Sequence, residues 1–431
     1  MSWGFEPDDD YREQLDWVDQ FVTTEIEPVD RVVAHAWNVD DPVRNALIRP
    51  LQEQVRERKL WACHLGPELG GPGYGQLELA LLNEKLGRTH SGPVVFGCHA
   101  PDSGNAEILA HYGTPELKAR YLAPLLENEI VSAYSMTEPQ GGSDPTAFVT
   151  RAELDGGEWV INGEKWFSSH ANFASFLIVM AVTDPDAGRH HRASMFVVPA
   201  DTPGIEIIRN VGVAGHENLG GTHSYIRYTD VRIPADHLLG ERGQGFAVAQ
   251  TRLGGGRIHH AMRTVGLVQQ SLDMMLERAV SRPSKGGTLA DHQLVQEMIA
   301  DSWIQVQQFR LLVLQTAWKI DKYNDYRKVI IDISAVKAAM PKVLLDVAGR
   351  AIQLHGSLGI STEMPFGAWV MESFHMALAD GATELHKIQV AKQLLRGVEP
   401  APGLFPTGHL LAREELAREK FRDLLAVDEI G

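Results

Sequence analysis

Asp380 stands immediately before a glycine in Leu378-Ala379-Asp380-Gly381-Ala382-Thr383-Glu384-Leu385-His386. A carboxylate there can serve as a general base, and Gly381 allows a ligand close to the backbone. An Asp before Gly is also a common helix N-cap. Glu384, one helical turn on, and Glu241, in Leu239-Gly240-Glu241-Arg242-Gly243, are rival carboxylates. Two further stretches offer ligand contacts. In Tyr134-Ser135-Met136-Thr137-Glu138-Pro139-Gln140-Gly141-Gly142-Ser143-Asp144 the glycines permit close backbone approach, and the hydroxyls and amides suit phosphate oxygens. The same run could be an ordinary loop entering a sheet. In Ile161-Asn162-Gly163-Glu164-Lys165-Trp166-Phe167-Ser168-Ser169 a turn signal leads to an aromatic and two hydroxyls, although a strand with a half-buried aromatic is the commoner fate of such a run.

Among the cations, Arg257 follows Gly254-Gly255-Gly256, a run that helix interiors avoid, which weakens its reading as a helix-surface ion pair. Arg282, in Ser281-Arg282-Pro283-Ser284-Lys285-Gly286, offers a fork suited to an anion, or a solvated ion pair. Gln353-Leu354-His355-Gly356-Ser357-Leu358-Gly359 reads as a helix ending in glycine. His259 and His260 are adjacent, so on a helix they point about 100° apart and do not share a metal. No HExxH or Cys/His spacing marks a metal site. Arg189-His190-His191-Arg192 reads as a solvated turn that could also meet a phosphate.

Stepping along the 431 residues, 44 % hydrophobic and 22 % charged is ordinary globular composition for two to four folded units. A formal charge of −16 without Lys/Arg runs argues against nucleic acid and anionic membrane surfaces. Cys63 and Cys98 are too few for a disulfide framework. The first residues lack a basic segment followed by an apolar one, and no apolar run approaches the ~20 residues of a membrane span. A reducing cytoplasm is expected, with no membrane span.

Helical periodicity runs over 11 to 129, with Leu15, Val18, Phe21, Val22 and Ile26 on one face and helices expected near 76 to 87 and 104 to 128. The loop Pro67-Glu68-Leu69-Gly70-Gly71-Pro72-Gly73 interrupts it. Short strands are expected at 158 to 161, 175 to 183, 193 to 199, 205 to 211 and 222 to 233, separated by turns at Asp155-Gly156-Gly157 and Asn162-Gly163. Consecutive strands without helices between them predict an antiparallel sandwich or barrel. Amphipathic helices follow near 245 to 281, 290 to 323, 326 to 355 and 364 to 395. The Pro-rich stretch after Gly397 is a linker, and a last helix lies near 408 to 426. The expected division is 1–130 helical, 131–244 β, 245–397 a four-helix bundle and 398–431 linker and terminal helix. That order, without a GxGxxG after a strand, excludes a doubly wound dinucleotide fold.

Taken in order over 8 to 396, these segments resemble the acyl-CoA dehydrogenase family. Thr-Glu-Pro followed by Gly-Gly-Ser-Asp is similar to its first FAD segment, which implies FAD contacts from Tyr134, Met136, Thr137, Gly142 and Ser143, with Ser143 also near the substrate. The resemblance sets Phe167 against the flavin ring, Ser168 beside it, and Ser169 as a hydroxyl donor to flavin N5. Asp230-Val231-Arg232-Ile233-Pro234 and the 239–246 run look like the family's exit from the β-domain. Arg257 takes the place of an arginine beside the thioester. Arg282 and Gln293, the latter in Asp291-His292-Gln293, match residues that reach the FAD of a neighbouring subunit, although Lys285 replaces the usual aromatic nearby. Gln353, Gly356 and Ser357 match the segment that meets the adenylate side of FAD across a dimer interface. In register from Gln353, the family's glutamate base becomes Asp380, one methylene shorter, with Ala382 and Glu384 on the FAD side.

The resemblance therefore implies an α+β multi-domain acyl-CoA dehydrogenase fold. It implies oxidation of an acyl-CoA to a trans-2-enoyl-CoA, with electrons passed to an electron-transferring flavoprotein, in a homodimer or homotetramer. A flavin monooxygenase or oxidase on the same fold, and a flavin-free acyl-CoA-binding scaffold, are the alternatives. The GRIHH and ADG runs resemble the branch that some eukaryotes fuse to a kinase-like phosphotransferase domain, for which 431 residues leave no room.

Overall fold

A computed structural model describes residues 7–214 and 221–426. The described residues up to Lys387 form one compact unit and those from Ile388 a second. The Asp9–Phe21 helix opens where the Asp8 carboxylate accepts from the Tyr11 amide at 2.9 Å. Leu15, Val18, Phe21, Val22 and Ile26 are all buried, the last two in a π-helical turn. Helices follow at Pro42–Glu57, Gln76–Leu86 and Asp102–Tyr112, and a helical run closes at Ala123–Leu126. Between them the 67–73 loop turns at Gly70 and Gly73, with φ of 83° and 77°.

Among the described residues eight strands make one sheet: β1 (Ser132–Ser135), β2 (Arg151–Asp155), β3 (Glu158–Ser169), β4 (Phe176–Val182), β5 (Ala193–Pro199), β6 (Ile205–Val211), β7 (His223–Pro234) and β8 (Leu238–Leu239). Their order is β6-β7-β3-β1-β4-β5-β8, with β2 on β3 and β4. Most pairs are antiparallel, as sequential strands favour, but β1 and β2 lie parallel to β4. The central strands are apolar on both faces. Phe176, Ile178 and Met180 of β4 face Ile108, Leu109 and Val248, while Leu177, Val179 and Ala181 face Trp159, Ile226 and Val231.

Gly156 and Gly157, at φ 62° and 88°, turn β2 into β3 in a two-residue hairpin. Asn162-Gly163 makes no turn. It lies inside β3, opposite an extra residue of β7, Asp230 at φ 49°. The Asn162 amide brackets that bulge: its Nδ2 donates to Asp230 Oδ1 at 3.1 Å, and its Oδ1 accepts from the Asp230 amide at 2.9 Å. Gly163 is required because a Cβ would stand 2.6 Å from Thr150 Cα. A turn dipeptide thus serves as a bulge pair, which local sequence cannot distinguish.

Beyond the sheet, Gly245–Ser281, Gln293–Tyr323, Ile330–His355 and Phe366–Leu378 pack on the N-terminal helices around one apolar core. The helix expected over 364 to 395 is broken. Asp380 and Gly381 take left-handed φ of 54° and 108°, so Phe366–Leu378 ends and Thr383–Leu395 begins as a separate helix. In the second unit the terminal helix is split into Leu410–Lys420 and Arg422–Leu425.

Candidate active site

The break places Asp380 on a turn that faces the Gly245–Ser281 helix. Its carbonyl accepts from Arg257 Nε at 3.1 Å and faces His386 Nε2 at 3.5 Å. Its carboxylate Oδ2 lies 3.4 Å from His260 Nε2. The following helix begins at Thr383, and the Ala382 carbonyl before it accepts from the Leu385 and His386 amides, so Asp380 does not stand at the cap position.

Burial pushes the Asp380 carboxyl up, but His260, Arg252, Arg257 and Lys337 outweigh it and hold the group below the usual carboxylate range. It is ionised at neutral pH. Lys337 is wholly buried, donates to the Met376 carbonyl, and is brought down to about 8 by burial. Arg257 is likewise lowered by burial. The Arg252 guanidinium lies 3.9 Å from the Tyr134 ring centre, and burial raises nearby Glu107 to about 7 against the pull of Arg252. The glycine run makes room: a Cβ on Gly256 would stand 3.5 Å from Asp380 Oδ2, and one on Gly255 3.9 Å from Glu107 Oε2.

A second wall comes from the sheet. Tyr134 of β1 pairs with Ser169 of β3, and the Trp166 amide donates to the Thr137 carbonyl at 2.8 Å, which brings the two quoted segments together. Below them Glu138 and Lys165 form a buried pair at 2.8 Å. Lys165 also donates to the Met136 carbonyl at 2.7 Å, and the Val149 and Thr150 amides donate to Glu138. This pair staples the loop that carries Thr137, Gly142 and Ser143.

β3 gains a residue between Lys165 and Ser168, where Phe167 takes φ 58° and keeps 37 % of its surface exposed. Its ring stacks on His223 at 5.0 Å, and His223 Nδ1 lies 2.9 Å from Ser169 Oγ. An exposed aromatic beside a hydroxyl, next to a loop whose Gly142 has open space around it, fits a flat ring ligand. The Ser168 hydroxyl does not face that space: it is buried at 2.8 Å from Ser135 Oγ, so Ser168 offers only its backbone there. From His223 the path continues to His375, ring centres 5.9 Å apart, on the helix before Asp380.

The remaining residues singled out in the sequence lie elsewhere on the surface of their elements. Arg282, Gln293, Gln353, Gly356, Ser357 and Glu384 are exposed, and Ala382 and Met136 are half-buried. Lys285 sits at the left-handed tip, φ 45°, of a tight turn between Pro283–Ser284 and Gly287–Thr288. Glu241 is exposed and bonded by Gln244 at 2.8 Å. Arg192 donates to the Thr146 carbonyl at 3.0 Å, which gives the 189–192 turn a local structural role. Sequence reasoning passed over Lys165, Lys337, Glu107, His223 and His375. It weighed His260 only as a metal ligand, although the Gly256 to His260 spacing puts both on the face that meets Asp380.

Helices, a sheet and helices follow in this order, and at the break after Phe366–Leu378 an ionised carboxylate lies among cations, an arrangement that can act as a general base. Residues 8–129 match the acyl-CoA dehydrogenase N-terminal domain, 133–231 the middle domain and 243–395 the C-terminal domain. The chain is 41 % identical to FadE2 of Mycobacterium tuberculosis over 80 % of its own length and 85 % of that protein. It is 38 % identical to acyl-CoA dehydrogenase family member 11 of Mus musculus over 89 % of its length, spanning only 50 % of that relative. A solved structure titled as an acyl-CoA dehydrogenase from Mycobacterium abscessus shares 37 % identity and a TM-score of 0.83, covering 90 % of this chain and 99 % of that one. The chain belongs to the acyl-CoA dehydrogenase family, the FAD-binding oxidoreductases of acyl-CoA thioesters.

Proposed function

We propose that this chain removes the α-proton and β-hydride of an acyl-CoA thioester to give a trans-2-enoyl-CoA, with Asp380 as the base. The observation that supports this most is the Asp380 carboxylate, ionised and half-buried on a turn that Arg257 holds by its carbonyl. A proton next to a thioester is weakly acidic, so its removal needs both a carboxylate and stabilisation of the charge that develops on the carbonyl oxygen. Asp380 takes the proton. Arg252, Arg257 and Lys337 make the surroundings of that carboxylate positive, which would favour the charge developing on a carbonyl held beside it. When bound, FAD supplies the acceptor for the hydride that leaves Cβ.

Phe167, Ser169, the Ser168 backbone and the loop bearing Tyr134, Met136, Thr137, Gly142 and Ser143 would hold the flavin ring, with Ser143 also near the substrate. Arg282, Gln293, Gln353, Gly356, Ser357, Ala382 and Glu384 would meet the rest of FAD, in part from a second subunit. Their exposure agrees with that assignment, as do Leu294 and Trp303, which are 72 % and 56 % exposed on Gln293–Tyr323. The reading extends to a homodimer or homotetramer in the cytoplasm, electron transfer to an electron-transferring flavoprotein, and the division at 130, 244 and 397. Among the described residues no helix is long and apolar enough to cross a membrane.

Anaerobic titration with a panel of acyl-CoAs tests the reading. The unsubstituted protein should bleach its bound FAD and reoxidise slowly in air, whereas Asp380→Asn should keep FAD and lose bleaching. Full bleaching by Asp380→Asn would transfer the base role to another carboxylate, and rapid reoxidation in air would make the protein an oxidase or monooxygenase.

A further inference from the structure

We propose that His260 is a positioning residue for Asp380: its imidazole N–H holds the short carboxylate in the orientation that meets the α-proton. This rests on the base assignment above.

The main chain of Asp380 is fixed independently of its side chain, by the left-handed φ of 54° and by Arg257 and His386 at its carbonyl. What remains free is rotation of a carboxylate on a single methylene. Oδ2 lies 3.4 Å from His260 Nε2 and 3.5 Å from where a Cβ on Gly256 would stand. Gly256 and His260 are one helical turn apart, so the carboxylate lies over a helix face that is bare at one end and carries an imidazole at the other. Among the described residues, His260 is the side chain in polar contact with that carboxylate.

Other charged groups surround the pair: Arg252 and Arg257 on the same helix, Lys337 on Ile330–His355, and His375 with its partner Glu372 on Phe366–Leu378. His386 follows on Thr383–Leu395, and Tyr134 faces it from β1. The three Lys and Arg side chains act on the carboxylate through space. Burial brings His260 to about 4, so near neutral pH a neutral imidazole lies beside the ionised carboxylate. Removing it frees the carboxylate to rotate and makes it easier to protonate.

The test reads proton removal without hydride transfer. A 3-thia-acyl-CoA, whose sulfur replaces the β-carbon, can lose its α-proton but no β-hydride, and the long-wavelength absorbance of the resulting enolate beside FAD reports the step. With His260→Phe the pH midpoint of that absorbance should rise by about one pH unit. The affinity for the analogue should stay within about twofold of the unsubstituted value, because the CoA contacts are untouched. His260→Gln, which keeps a donor, should recover most of the shift. An unmoved midpoint in His260→Phe would reduce His260 to packing and overturn the proposal. Enolate formation that survives in Asp380→Asn would overturn the base assignment instead. Should His260→Phe not fold, carboxyl and imidazole NMR of the unsubstituted protein with oxidised FAD bound decides. A His260 titration that senses Asp380 and changes in Asp380→Asn is expected, and independent titrations overturn the pairing.

Discussion

Lys165 and Glu138 are 0 % and 1 % exposed, so each depends on the other for its charge. Burial lowers Lys165 to about 8. Burial also raises Glu138, but Lys165 and the Val149 and Thr150 amides more than reverse that. Lys165→Met should therefore leave a carboxylate without its cation and cost about 3–5 kcal/mol in urea unfolding, with weakened FAD retention as the 137–143 loop loosens. Adding Glu138→Gln should return part of that stability, and an additive double variant would show that the two do not act as a pair. The Thr-Glu-Pro run stood out in the sequence as a candidate segment, yet the pairing of Glu138 did not. Its cation belongs to a strand that meets it only once β1 and β3 are paired. Asp380 was the opposite case, singled out by register with Gln353, while its contact with His260 depends on how a turn meets a helix distant in sequence.

Two glycines of the Gly245–Ser281 helix separate site from scaffold. At Gly256 a Cβ finds ordinary contact at 3.5 Å from Asp380 Oδ2, and alanine favours helix by up to about 1 kcal/mol. Gly256→Ala should melt no lower than the unsubstituted protein but reduce its flavin severalfold more slowly with acyl-CoA. At Gly266 a Cβ would stand 2.2 Å from the Glu84 carbonyl oxygen, where Gln76–Leu86 crosses. Gly266→Ala should force the helices apart and cost about 1–3 kcal/mol of stability, with the bleaching chemistry of the folded fraction intact. Equal melting temperatures for the two variants would contradict this division. Helices were read well from periodicity, but the break at Asp380 was not, because the apolar spacing continues on both sides of a two-residue left-handed turn. β1 and β2 were also missed. Both are short: β1 is a strand through parallel pairing with β4, a partnership that no local pattern encodes, whereas β2 is the first arm of the Gly156-Gly157 hairpin and pairs antiparallel with β3.

Over the whole molecule, buried imidazoles set the acid limit. Burial holds His64 at about 3 and His260 and His386 at about 4, below the ordinary 6.5. From about pH 6.5 downward the unfolded chain takes protons that the folded chain refuses until the lower values, so stability is full above that window and falls through it. His375 runs the other way: burial lowers it, but Glu372 and Asp380 raise it further, so it contributes stability below its unfolded value and loses it at higher pH. Urea midpoints should drop between about pH 6.5 and 4, by about one kcal/mol or more per refused proton, and His64→Phe should flatten the curve. A flat profile in the unsubstituted protein would mean these rings protonate freely in the fold. The ring path from Phe167 through His223 to His375 joins the sheet to the helix that ends at Asp380. A flat ligand laid against Phe167 should therefore shift the NMR signal of the His223 imidazole stacked on it, and an unmoved signal on FAD binding would place the ring elsewhere.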